Sequence, residues 1–445
     1  MKIFFSGVGG SGVSALAGFA AERGDSVSGS DRFFDANPGH PLCQRLKAAG
    51  VRIFPQDGSG IDGSYDLAVF STAVEKDNPD RMKAEAIGVP LRTRPEYLAE
   101  MVSRFRTIAV AGTSGKSTMS GMLAFLMERL GMGPNFIGGG RVKQFTSSVN
   151  AGNYLTGGSK TLIIEACESD GSLVDYRPEL SIIANLALDH HPVDETARMF
   201  EQLAGNTSGL VVAGGDDVNL AGCNLGDAVR FSIETGSKYR AGGIEYEQLS
   251  SAFTVNGTRY ELSMPGRHNI YNALACIACL SELDVPAADI AAALPGFAGI
   301  ERRFDIHLNN GTHIVIDDYA HNPHKIGSLM RTMQGVAASV CYVFQPHGYG
   351  PTRMMKEGYV KTFAENLRSS DRLVILPIYY AGGTAARDIS SADVAGPLRF
   401  EGRNAGTLDR TDLLDDLGAY EAYAVFGARD DTLSDLAEEI AKRVR

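Results

Sequence analysis

The chain has 445 residues, of which 44% are hydrophobic and 21% charged, and its net charge is −11. That length predicts about three domains at ~150 residues each, and acidity without a basic run excludes a general nucleic-acid or membrane-surface binder. No apolar stretch reaches the ~18 residues of a membrane span, so none is expected.

Six scattered cysteines (43, 167, 223, 276, 279 and 341) are too few to staple a chain of this size and fit a reducing cytoplasm. Cys276 and Cys279 have CxxC spacing inside an alanine-rich helical pattern, which reads as a core helix face rather than a metal or redox pair. The apolar start after Met1-Lys2 imitates a secretion signal, but Gly7, Gly9, Gly10 and Gly12 interrupt it.

Residues 1–105 read as a first domain. Lys2 to Ser6 predicts a strand, Gly7-Val8-Gly9-Gly10-Ser11-Gly12 a tight turn, and residues 13–23 a helix. This G-x-G-x-x-G arrangement lets a pyrophosphate sit on the helix N-terminus. A second strand over 26–30 brings Asp31 to where a ribose hydroxyl would lie, and NAD is the usual inference. Strands are expected again at 51–54 and 66–70. Ser71 and Thr72 form the polar turn after the latter, where a ligand lies in a doubly wound sheet. Asp77-Asn78-Pro79 caps the next helix.

Residues 106–297 read as a second domain. The apolar run Thr107-Ile108-Ala109-Val110 predicts a buried strand, Gly112-Thr113-Ser114-Gly115 a turn, and Lys116-Ser117-Thr118 the start of a helix. Backbone N–H groups and the helix dipole then converge on one point, which suits phosphate. Lys116 reaches terminal phosphates there, and the Ser117 hydroxyl is placed for Mg²⁺. Val110 stands where the long Walker spacing has its first glycine, so the shorter G-T-S-G-K-S-T form is present. A nucleoside triphosphate site is expected. Strands over 161–165 and 180–185 lead to Glu165 and His190, acid and imidazole at carboxyl strand ends that can converge on metal. A smaller β-rich insert is expected over 229–263, with Asn256-Gly257 as its hairpin turn. The helix after Pro265 carries His268, Asn269 and Asn272 on its first turns.

Residues 298–445 read as a third domain and a second open α/β sheet. A hairpin at Asn309-Asn310-Gly311 leads into a strand over 313–317, and Asp318-Tyr319-Ala320-His321-Asn322-Pro323 joins that strand to a helix. Further strands are expected at 339–344, 372–377 and 423–426. Arg303 and Arg429 flank sheet ends and suit phosphate or carboxylate.

Ten segments occur in order: GVGGSG, SGSD, STAVEKDNP, AGTSGKST, EACESD, NLALDH, GRHNIYNALA, ERRFD, DDYAHNP and FQPH. In composition and order they resemble the Mur ligases, over nearly the whole chain. The resemblance implies a three-domain α/β fold: a Rossmann-like N-terminal domain for UDP, a central P-loop ATPase domain, and a Rossmann-like C-terminal domain for the incoming amino acid. It accounts for the first glycine loop without NAD, since the pyrophosphate is that of a UDP-sugar. The implied reaction is ATP-dependent. A UDP-N-acetylmuramate-type carboxylate forms an acyl phosphate and then an amide with L-alanine or a similar amino acid, in peptidoglycan biosynthesis. Addition of a peptide or a different amino acid is the alternative.

By the same resemblance Gly112 to Thr118 hold ATP, with Asn269 on adenine, Asp318 on the ribose and Arg303 on the phosphates. Ser117 and Glu165 hold one Mg²⁺ and His190 a second. Gly7, Gly9, Gly10, Ser11, Gly12, Asp31, Ser71 and Thr72 meet the UDP-sugar. Tyr319 and His321 lie near the incoming amine, with His347 and Arg353 on the acceptor side. The implied assembly is a monomer or homodimer whose domains close around their substrates. Three departures stand out. Ser114 replaces His or Asn, and Ser117 replaces Thr. No lysine occurs between Lys160 and Lys238, so a carbamylated metal-binding lysine is unavailable. Alanine-adding members carry two arginines after QPH, where this chain reads Gly348-Tyr349-Gly350-Pro351-Thr352-Arg353. Arg353 or another arginine must then meet the acceptor carboxylate.

Overall fold

Strand, glycine turn and helix succeed one another from the first residues. β1 (Lys2–Ser6), β2 (Ser26–Ser30), β3 (Arg52–Phe54), β4 (Leu67–Phe70) and β5 (Leu91–Thr93) form a parallel sheet in the order β3-β2-β1-β4-β5. The order reverses at β1, so the Gly7–Gly12 loop leaves the sheet at its switch point, where open α/β sheets bind ligands. These coordinates are a computed structural model and describe residues 1–189, 191–380 and 386–445.

The second sheet contains β6 (Arg106–Ala111), β7 (Asn135–Ile137), β8 (Tyr154–Leu155), β9 (Thr161–Glu165), β10 (Leu180–Ile183) and β11 (Leu210–Gly214). It continues through β12 (Val229–Ser232), β13 (Tyr239–Tyr246), β14 (Ser251–Val255) and β15 (Thr258–Leu262). Its order is β15-β14-β13-β12-β11-β10-β6-β9-β7-β8, with β6 between parallel β9 and β10. The expected separate insert over 229–263 is therefore an extension of the main sheet. Phe231 is buried where β12 pairs with β11 and Ser232 where β12 pairs with β13, so the added strands continue one ladder. Asn256 and Gly257 do make the turn between β14 and β15, both with positive φ (49° and 84°).

The third sheet runs β16 (Asp305–Asn309), β17 (Ile314–Asp318), β18 (Val340–Gln345), β19 (Arg372–Ile375), β20 (Ala405–Thr407) and β21 (Ala422–Gly427). Its order is β16-β17-β21-β18-β19-β20, parallel apart from the β16–β17 hairpin. The three sheets are distributed over two compact units. One comprises Met1–Gly243, Phe253–Leu262 and Ile270–Ala298, and the other Ile244–Ala252, Ser263–Asn269 and Gly299–Arg445.

Continuous apolar runs form these central strands because both of their faces are covered. Thr107 to Ala111 are all buried, and so are Leu162 to Ile164 and Val340 to Gln345. The helix Lys116–Arg129 is buried from Thr118 through Met127, apolar all round as a core helix must be. In the first unit one core cluster joins Ile3, Phe5 and Phe19 to Tyr154, Leu162 and Ile183, so the first two sheets share an interior. Among the described residues no helix is long and apolar enough to cross a membrane.

Cys276 and Cys279 lie on the buried helix Arg267–Glu282, fully inaccessible, and the Cys276 thiol donates to the Met119 carbonyl at 3.4 Å. Cys43 and Cys341 are also buried, whereas Cys167 and Cys223 are partly exposed. Thiol titration of the native protein with Ellman's reagent should therefore count two fast thiols, and all six in denaturant. Rapid reaction of more than two would contradict the packing.

Candidate active site in a glycine-capped phosphate loop

Asp31, His40, Asn78, Thr93, Asn322 and Asp409 each cap a helix by accepting a first-turn N–H. Other helices start without a side-chain cap, and in the first unit two of these start from glycine. Ser11–Glu22 begins at Gly10 and Lys116–Arg129 at Gly115, with no acid in the first turn of either. Their leading N–H groups and dipole ends are left for an anion. Both stand at the switch points of parallel sheets, where the sequence expects a pyrophosphate and a triphosphate.

The loop after β6 is fixed by its own backbone and by one asparagine. Gly112 and Gly115 have φ of 141° and 85°, values that side chains rarely adopt. A Cβ at Gly115 would also collide with the Asn272 side-chain oxygen. Asn185, just past β10, grips the turn from both sides. Its Oδ1 accepts the Ser114 N–H at 2.8 Å, and its Nδ2 donates to the Ser114 carbonyl at 2.9 Å. Buried Thr113 adds a second tie, its hydroxyl accepting the Ala187 N–H at 2.9 Å. Sequence reasoning named Thr113 and Ser114 but missed Asn185; its place directly after a buried strand was the available signal.

Lys116 extends back over this loop. Its ammonium donates to the Gly112 carbonyl and to Glu168 Oε2, both at 2.7 Å. Glu168 is 1% exposed, and its Oε1 has no hydrogen-bond partner. Burial opposes the Lys116 charge, but neighbouring Cys167, Glu168 and Glu165 outweigh it and hold the pKa above its ordinary value. The lysine is charged and aimed at the loop.

Ser117 Oγ donates to Glu165 Oε2 at 3.2 Å, while Glu165 Oε1 accepts the Gly139 N–H at 2.8 Å. A hydroxyl and an oriented carboxylate this close fit a Mg²⁺ ion, which takes few protein oxygens and completes its shell with phosphate and water. Among the described residues no three His, Cys, Asp or Glu side chains cluster as a metal-binding group. His190, the third expected ligand, lies outside the described residues.

The first glycine loop is tied to the same unit. Asp31 Oδ2 accepts the Gly9 N–H at 2.8 Å and its Oδ1 the Phe33 N–H at 2.9 Å, so this carboxylate shapes the loop as well as facing it. Ser71 lies against Gly7, and Thr72 is exposed beside it. Asn153 donates to the Ser11 carbonyl at 2.9 Å, and Arg94, which packs on Gly12, is ion-paired with Asp170. The segment Glu165–Asp170 thus serves the triphosphate loop through Glu165 and Glu168 and the first glycine loop through Asp170.

In the other unit, Asp317 and Asp318 end β17 and Tyr319 to His321 follow it. Asp318 accepts the Phe304 and Ala320 N–H groups, each at 2.7 Å, and burial raises its pKa against the opposing Arg303 charge. Arg303 stacks on Tyr319 at 4.7 Å from the ring centre. Tyr319, His321 and His347 form one run of rings, with successive centres 5.6 and 5.5 Å apart. Arg353 is paired with Asp388. Asn269 is buried, its amide donating to the Pro265 carbonyl at 2.8 Å. Arg302, which sequence reasoning passed over, is buried on Asp317 at 3.1 Å and anchors this strand end.

Asn185→Ala removes both hydrogen bonds that shape the turn, at about 1–3 kcal/mol in all. The KM for ATP should rise roughly 10-fold or more with secondary structure retained. An unchanged KM would show that the loop holds its form without Asn185.

Three family models match along the chain: "Mur ligase family, catalytic domain" over residues 2–106, "Mur ligase middle domain" over 110–280, and "Mur ligase, glutamate ligase domain" over 302–433. The chain is 34% identical to the UDP-N-acetylmuramate–L-alanine ligase of Synechococcus sp. (strain RCC307), covering 96% of this chain and 93% of that one. Its namesake from Syntrophotalea carbinolica is also 34% identical, over 86% and 84%. Among solved structures, the UDP-N-acetylmuramate–alanine ligase of Thermotoga maritima superposes with a TM-score of 0.82 at 27% identity, covering 100% and 99% of the two chains. A murein peptide ligase of Psychrobacter arcticus shares the fold at TM-score 0.71 and 21% identity, over 98% and 99%. With all three of its α/β domains matched, the chain belongs to the Mur ligase family.

Proposed function

We propose that this enzyme joins the carboxylate of a UDP-N-acetylmuramate-type sugar to the amine of L-alanine in peptidoglycan biosynthesis. As a Mur ligase it is an ATP-dependent ligase that forms a C–N bond. The observation that carries the reading is one compact unit holding two uncapped, glycine-started helix N-termini, with part-buried Lys116 and the Ser117–Glu165 pair at the second. A second reading, a peptide or different amino acid as acceptor, is favoured by Gly348 and Pro351 where alanine-adding relatives carry arginine.

In the reaction the substrate carboxylate attacks the γ-phosphorus of ATP, expelling ADP and leaving an acyl phosphate. The acceptor amine then attacks the acyl carbon, phosphate departs and the amide remains. Negative charge spreads over the transferring phosphoryl oxygens, so a fixed cation and oriented N–H donors do most of the catalysis. Lys116 and the N–H groups from Gly115 to Thr118 fill that role. Mg²⁺, as two ions, would neutralise phosphate charge, held by Ser117, Glu165 and His190. Asn269 is assigned to adenine, Asp318 to the ATP ribose and Arg303 to its phosphates. Tyr319 and His321 serve the acceptor amine. Burial, with Arg429 adding to it, keeps the His347 pKa below the ordinary histidine value, so a neutral imidazole is available to take the amine's proton.

Gly7, Gly9, Gly10, Ser11 and Gly12 are assigned to the UDP pyrophosphate, and Asp31, Ser71 and Thr72 to the rest of the UDP-sugar. The working domains divide as 1–105, 106–297 and 298–445. A cytoplasmic monomer or homodimer completes the reading.

Phosphate release from Mg-ATP should require both UDP-N-acetylmuramate and L-alanine. Release with another amine alone would move the enzyme to the second reading, and no release with any acceptor would overturn both. Lys116→Ala should lower kcat about 10²–10³-fold while the protein stays folded.

A further inference from the structure

Arg429 follows β21, the strand between β17 and β18 in the third sheet. Gln345 pairs with Gly427, so two residues further on His347 and Arg429 leave the carboxyl ends of adjacent strands side by side. Ligands of open α/β sheets bind at such ends.

Three features set Arg429 apart. Its φ is 71°, a left-handed conformation that an L-residue other than glycine keeps only where the surroundings impose it. Its neighbours impose it: Asp430 is paired with Arg410 at 2.6 Å, and Asp431 with Arg302 at 3.3 Å. Finally, Arg429 is exposed, and among the described residues no acidic or hydrogen-bonding group pairs with it. Among the other arginines of this unit, Arg302 is ion-paired with Asp317, Arg353 with Asp388, Arg368 with Asp371, Arg372 with Asp416 and Arg410 with Asp430, while Arg303 and Arg387 stack on tyrosine rings.

What surrounds Arg429 favours an anion. Its charge is close enough to contribute to the lowered proton affinity of His347, whose Nδ1 is buried without a partner. After His347, Gly348 (φ 67°) starts the 18-residue helix Tyr349–Asn366 with no side-chain cap and no acid in its first turn. Within the helix, Pro351 and the glycines leave no cationic side chain before Arg353, which is itself ion-paired, while Arg387 is stacked on Tyr380.

We propose that Arg429 is the carboxylate anchor of the acceptor amino acid, holding its α-carboxylate at the carboxyl end of β21 beside His347. The cation comes from the β21 loop instead of the helix after β18. A guanidinium suits the task because its fork accepts a planar carboxylate bidentately. The acceptor class is accordingly a free α-amino acid rather than an amine lacking a carboxylate. This rests on the amino-acid-adding reaction proposed above.

The test compares L-alanine with L-alaninamide, which keeps the amine and lacks the carboxylate, in phosphate release with Mg-ATP and UDP-N-acetylmuramate. Arg429→Gly removes the guanidinium and suits the positive φ, so folding is not at risk; Arg429→Lys retains the charge alone. The glycine variant should raise the KM for L-alanine about 10- to 100-fold with kcat within a few-fold. Its KM for L-alaninamide should stay at the unsubstituted enzyme's value, and the lysine variant should recover part of the loss for L-alanine. An unchanged KM for L-alanine, or equal losses for acid and amide, would overturn the assignment. Absence of release in the unsubstituted enzyme with every amino acid would instead overturn the ligase reading, and this inference with it.

Discussion

A lysine ammonium held between a carbonyl and a carboxylate out of water governs the centre of the first unit. Lys116 could not remain charged there on burial alone, because desolvation favours the neutral amine. Glu168, Glu165 and the Gly112 carbonyl restore the balance. The arrangement matters for a reaction that transfers a phosphoryl group: a cation already desolvated and aimed needs little reorganisation when charge develops. Glu168 retains one unpaired buried oxygen, so the pair is not a fully satisfied ion pair. Partly satisfied buried networks are weak sources of stability and recur where function requires them.

The rest of the unit follows from keeping this lysine in place. Asn185 and Thr113 bind the turn to the end of β10, Glu165 orients Ser117, and the buried helix Lys116–Arg129 fixes where the turn begins. Asp170, five residues after Glu165, reaches Arg94 and through it the packing on Gly12. One short polar segment therefore braces two glycine-started helix N-termini. A shared interior, running from Phe5 and Phe19 to Tyr154 and Leu162, gives both starts the same rigid support.

Much of this was legible in the sequence because glycine and apolar runs are strong local signals. The strands β1, β6, β9 and β10 were evident as apolar runs, and the two glycine loops were placed at their ends. Short strands were less legible: β5 (Leu-Arg-Thr) and β20 (Ala-Gly-Thr) carry too few apolar residues to show a period, and only pairing with a longer neighbour makes them strands. The extension of the second sheet through β15 escaped for the same reason, since the pattern of 229–263 does not say with which edge it pairs. Lys116 and Ser117 were named from the loop motif and Glu165 from its strand end, and the structure brings Ser117 and Glu165 together at this helix start. Asn185 and the pairing of Glu168 with Lys116 were not named, because both depend on which strand ends become neighbours. Asp31 was read as a ligand-facing acid, and the structure adds a capping and loop-bracing role that a ribose-contact reading does not include.

The most direct test of the account is a crystal structure with Mg²⁺ and a non-hydrolysable ATP analogue. The account predicts the triphosphate over Gly112 to Thr118, Lys116 Nζ turned from Glu168 to a phosphate oxygen, and Ser117 with Glu165 on the metal. A nucleotide bound elsewhere, with the Lys116–Glu168 pair intact, would contradict it.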